Sequence, residues 1–71
     1  MIEFELKENW GIVKASPTGW TKEVNIISWY GGPDVIDIRE WDEDHLHMSK
    51  GLTLKMDEAK ELQAILNNHL K

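Results

Sequence analysis

Cysteine is absent from this 71-residue chain, proline occurs twice, and phenylalanine and tyrosine once each. Without cysteine there is no disulfide staple and no thiolate nucleophile, which suits a reducing compartment. No apolar run approaches the roughly 18 residues that a membrane span requires. The opening residues Met1-Ile-Glu-Phe-Glu-Leu lack the basic and then apolar stretches of a secretory leader, so a cytoplasmic protein without membrane attachment is expected. Positive charge is also scarce: eight Lys and Arg face thirteen Asp and Glu, for a net charge of −5. That sign argues against indiscriminate adhesion to DNA or anionic membranes. No Gly-rich phosphate loop and no serine in a nucleophile-elbow setting is present, so an enzyme is not expected.

What remains is one small domain spanning residues 1–71. Leu, Ile, Val and Phe make up about a quarter of the chain, above the level at which disorder is expected. A chain of this size buries only about 60% of the surface that its unfolded form exposes. With neither disulfide nor a clear metal site to support it, homodimerisation is the expected remedy. His45 and His47 with Asp44 form an Asp-His-x-His cluster, but no distant ligand completes it. No metal or other cofactor is therefore expected.

The charge is unevenly spread. Residues 1–33 carry −1, residues 34–47 carry −5 and residues 48–71 carry +1, so the acidity is concentrated around Asp42-Glu43-Asp44. The simplest account of that tract is a solvated loop, and the functional one a metal or partner site.

Ile2, Phe4 and Leu6 alternate with acidic and basic residues, which predicts a strand with one wet face, and this strand resumes at Trp10-Gly-Ile-Val. Ser16-Pro-Thr-Gly19 ends that segment. A second strand follows over Trp20–Tyr30, with Val24, Ile26, Ser28 and Tyr30 on one side and Glu23, Asn25, Ile27 and Trp29 on the other. Gly31-Gly-Pro-Asp34 is a turn leading to a third strand, Val35–Trp41, in which Ile36 and Ile38 oppose Asp37, Arg39 and Trp41. Lys50–Leu54 reads as a short fourth strand. Ala59, Leu62, Ile65, Leu66 and His69 or Leu70 then recur at three- and four-residue steps, the mark of an amphipathic helix. Asp57, Glu58 and Glu61 suit its positive end, and Asn67, His69 and Lys71 its negative end. The expected fold is α+β: a four-stranded antiparallel sheet followed by one C-terminal helix, dimerising.

A single helix covers one face of such a sheet and leaves the other exposed. If Ile36 and Ile38 are core, Arg39 and Trp41 point outward. Exposed aromatics beside cations suit single-stranded nucleic acid, because every base offers a π-face and the backbone requires positive charge. The competing account is that the four tryptophans fill the core or a dimer interface.

The run Ile36-Asp-Ile-Arg-Glu-Trp41, followed by Lys50-Gly-Leu-Thr-Leu54 and the helix, resembles the transcriptional positive cofactor 4 family of single-stranded-DNA-binding coactivators. Gly19-Trp-Thr-Lys-Glu-Val-Asn25, with Ser28-Trp29, Asp44-His45 and Met48, is closer still to its small bacterial YdbC-like branch. The resemblance implies a homodimer that presents curved sheet ridges to unpaired strands with little sequence preference, in transcription, replication or repair. Its implied partners are single-stranded DNA, RNA as a second candidate, and transcription or replication proteins. It implies phosphate contacts at Lys22, Arg39 and Lys50, base stacking at Trp29 and Trp41, and either stacking or support at Trp20. Lys55 stands where the family usually has a helix-capping Asn or Ser, which leaves the cap to Asp57. The alternative function is a protein-interaction module that binds a polypeptide through its Trp-rich face.

Overall fold

A computed structural model describes residues 3–70. Four antiparallel strands, β1 (Phe4–Ala15), β2 (Thr21–Trp29), β3 (Asp34–Trp41) and β4 (Leu52–Leu54), lie side by side in chain order and precede one helix, α1 (Met56–His69). The sheet and helix agree with the sequence reading; Ile2 and Lys71 lie outside the described residues. The break expected at Glu8-Asn9 is instead absorbed within one 12-residue strand, whose pairing with β2 slips between Leu6 and Glu8, Asn9 and Gly11, and Ile12 and Lys14. Each slip inserts an unpaired residue, bends the strand and increases its twist.

The β2–β3 connection is closed by Gly32 N–H donating to Trp29 O at 2.8 Å. Its two central residues, Tyr30 and Gly31, have φ of 52° and 72°. Positive φ at both is what a hairpin turn matched to the sheet's twist demands, and Gly31 meets it without a steric cost.

On one side of the sheet, Ile26 and Ile36 are buried, with Val24, Ile38 and Leu54 half-buried beneath α1. The helix itself contributes no buried residue. Ala59 and Leu62 are half-buried, whereas Ile65, Leu66 and Leu70 of the predicted stripe stay exposed. At its N-terminus the Lys55 side chain makes no cap, and the Lys55 N–H donates to the Glu58 carboxylate at 2.8 Å. Asp57 accepts from the Glu58 N–H at 2.9 Å. Glu58 thus shares the role expected of Asp57 alone.

The opposite side corrects the sequence reading. It is not a wet face: Asn25, Ile27, Asp37 and Trp41 are fully buried, and Glu23 nearly so. Trp41 therefore does not point outward to solvent, and Arg39 keeps only 13% of its side chain exposed. The cause is curvature. Trp29 and Trp41 sit by opposite ends of β2, yet the Phe4 ring lies 5.6 Å from one and 5.3 Å from the other. Nine extended residues span about 26 Å, so both contacts with a single ring require the sheet to coil around this side. His45, from the acidic loop, completes the cover at 5.4 Å from the Trp41 ring.

Candidate nucleic-acid interface

The coiled side holds a polar network inside the aromatic shell. Arg39 reaches Asp37 with two parallel hydrogen bonds of 2.7 Å, the bidentate geometry in which a guanidinium matches a carboxylate, and Thr53 adds a bond to the same carboxylate. The guanidinium carbon lies 4.8 Å from the Trp29 ring centre, a cation–π contact. Asn9 bridges Glu23 and Asn25 at 3.1 and 2.7 Å, and His45 Nε2 lies 3.0 Å from both Glu23 oxygens. Burial pushes the Glu23 carboxyl up, but hydrogen bonds with Thr21, His45 and Asn25, together with the charge of His45, outweigh that and hold it below the usual carboxylate range. The indole N–H groups of Trp29 and Trp41 are buried without a partner among the described residues.

The acidic tract is not merely solvated loop. Asp42 accepts from the backbone N–H groups of Leu46 and His47 and pairs with the His47 ring at 2.7 Å. The His47 hydrogen bond, opposed by slight desolvation and aided by those N–H groups, keeps the Asp42 carboxyl low. This knots residues 42–47 into a tight loop that delivers His45, with φ of 57°, onto Trp41.

Lys22 and Lys50 occupy different ground. With Arg39, Glu40 and Ser49 they line an open groove of about 430 Å³ on the helix side of the sheet, at the ends of β2 and β3. Gly51 shapes its floor: a Cβ there would stand 2.6 Å from the Ile38 carbonyl oxygen and closer still to the Arg39 side chain. Only glycine lets the Lys50 segment approach β3 so closely. Next to this groove, sharing Lys22 and Glu40, is a small hollow lined also by Lys14, Ser16 and Trp20. The bonds Ser16 N–H to Trp20 O (2.7 Å) and Gly19 N–H to Ser16 O (3.1 Å) close the β1–β2 turn and fix the half-buried Trp20 beside it.

The structure thus brings Trp20, Lys22 and Lys50 together along one run of surface, with Arg39 in the wall of the groove but its guanidinium turned to Asp37 and Trp29, and places Trp29 and Trp41 in the aromatic shell behind the sheet. Trp29 remains half-buried, and Trp41 is closed off in this conformation. Sequence reasoning missed Phe4 as the ring shared by two tryptophans and His45 as the lid of Trp41. His45 and Glu23 lie 22 positions apart and carry no local signal of their contact.

No helix among the described residues is long and apolar enough to cross a membrane, and no group of three or more His, Cys, Asp or Glu is placed to hold a metal ion. An uncharacterized protein of Treponema pallidum (strain Nichols) is 42% identical over 67 residues, covering 94% of this chain and 79% of that protein. The family model described as Transcriptional Coactivator p15 (PC4) matches residues 16–65, from the β1–β2 turn through β4 and most of α1. On that match, over more than two thirds of its length, the chain belongs to the PC4 family of transcriptional coactivators.

Proposed function

We propose that this protein is a non-catalytic, cytoplasmic homodimer that binds single-stranded DNA, with RNA as a second ligand, largely without regard to sequence, in transcription, replication or repair. The observation that carries the reading is the open groove lined by Lys22 and Lys50, with the Asp37-paired Arg39 in its wall and Trp20 next to it, on a chain whose net charge is negative. Cations gathered on an acidic molecule concentrate phosphate affinity in one place, and an adjacent indole offers a stacking face. Membership of the PC4 family suggests the same ligand and a transcription-related role. The homodimer is supported by α1, which buries no residue and leaves Ile65, Leu66 and Leu70 facing solvent. A polypeptide ligand for the Trp-rich face is the weaker reading, because Trp41 is already enclosed by Phe4 and His45.

The test is a tryptophan-fluorescence titration with a thymidine 20-mer beside a duplex of the same length, at low and moderate salt. Saturable quenching by the single strand, at least tenfold weaker for duplex, is the expected result. Equal response to both, or none to either, overturns the reading.

A further inference from the structure

The pairing register of β1 with β2 contains a feature that the fold alone does not require. Ile12 pairs with Glu23 and Lys14 with Lys22, so Val13 is the extra residue of a bulge two positions before the strand ends. Without it, Val13 would face Lys22 and Lys14 would face Thr21. The bulge instead sets two lysines directly across from each other. Like charges in that position repel and weaken a sheet, and bulges serve to re-aim side chains. Both lysines are exposed, and among the described residues neither has a carboxylate within ion-pair distance. Glu40 continues the row on the far side of Lys22 and lines the same hollow without closing a salt bridge to either lysine. An anion seated between the lysines would turn this repulsion into attraction.

The surroundings suit a phosphate that belongs to a strand. Lys14 and Lys22 share their hollow with Trp20 and Ser16, and the hollow runs through Lys22 and Glu40 into the groove that ends at Lys50. We propose that Lys14 and Lys22 form a phosphodiester-binding subsite across β1 and β2, in which Trp20 supports the neighbouring nucleotide and from which the strand continues along the groove to Lys50. This inference rests on the single-strand reading above and adds to it a contact from β1, the strand that carries none of the sites implied by the family resemblance. Glu40 opposes the phosphate and sets the limit on affinity.

The test compares wild type, Lys14→Gln, Glu40→Gln and Lys60→Gln by titration with a thymidine 20-mer from 50 to 300 mM salt. Lys60→Gln removes the same charge from the exposed surface of α1. Lys14→Gln should weaken binding about three- to tenfold and flatten the dependence of log affinity on log salt by about 0.7, the share of one phosphate contact to a single strand. Glu40→Gln should tighten binding, and Lys60→Gln should leave the slope unchanged. If Lys14→Gln and Lys60→Gln behave alike, or if Lys14→Gln weakens binding with the wild-type slope, the subsite is wrong while the single-strand reading stands. If wild type binds no oligonucleotide, both fall together.

Discussion

On the side of the sheet that carries Ile27, Asp37 and Trp41, the protomer closes over its own side chains; on the side beneath α1 it does not. The closed side is built from unpromising material: a glutamate bonded to two asparagines, and beside them an aspartate bonded to an arginine, roofed by Phe4, Trp29 and His45. The open side has the better hydrophobic composition, yet leaves Ile65, Leu66 and Leu70 in water. Burial here follows curvature rather than hydrophobicity. The coiled strands bring polar groups close enough to satisfy one another, and a buried polar network is tolerable when its members are paired. The convex side diverges, and a single 14-residue helix cannot fill it.

Substitutions on the two sides should therefore fail in different ways. Trp41→Ala removes the largest fully buried side chain and should cost about 3–5 kcal/mol, comparable to the whole stability of a small domain. Leu66→Glu on α1 should leave the protomer's strands intact and instead dissociate the proposed homodimer. Circular dichroism melts and sedimentation velocity, run on both variants, separate the two effects. A Leu66→Glu protein of unchanged mass would mean that the open side is not where copies meet, and a fully stable Trp41→Ala would mean that the coiled side is not the core.

Acidification probes the closed side together with the Asp42 loop that lids it. Glu23 has a carboxyl held below its unfolded value, so its contribution to stability is present above the unfolded carboxylate pKa of about 4.3 and is lost as pH falls through the lower folded value. Wild type should lose stability on going from pH 5 to pH 3, and Glu23→Gln should start less stable and show a shallower decline in the same window. Urea midpoints at half-unit steps check this. Parallel curves for the two proteins would assign the acid sensitivity to other carboxylates.

These asymmetries explain which parts of the molecule were legible in the amino-acid order. Period-two alternation identified the strands and separated Ile36 and Ile38 from Asp37, Arg39 and Trp41, because facing is a local property of an extended chain. Whether a face is wet is not local. It depended on three slips in β1 that wrap the sheet, and on a histidine delivered from a loop 22 positions beyond its glutamate. The family resemblance implied phosphate contacts at Lys22, Arg39 and Lys50, and the structure puts all three in the lining of one groove with the Arg39 head paired to Asp37, whereas the placing of Lys14 required the register, since the bulge at Val13 decides what it faces.

The smallest expected effect concerns the helix that the open side exposes. Lys55 occupies the N-cap with extended backbone angles, and its side chain contributes no hydrogen bond. Glu58 already supplies half of a capping box by accepting the Lys55 N–H. A serine at this position would supply the other half, its hydroxyl accepting the Glu58 N–H that now goes to Asp57. Because Asp57 satisfies that donor in part, Lys55→Ser should gain about 0.5–1 kcal/mol rather than the upper end of the capping range. The gain should appear in the urea midpoint without altering the oligomeric mass, since position 55 precedes the apolar stripe. No gain would mean that Asp57 and Glu58 already cap the helix fully. A gain accompanied by a change in mass would mean that the proposed interface begins at the first turn of α1 rather than along its Leu66 face.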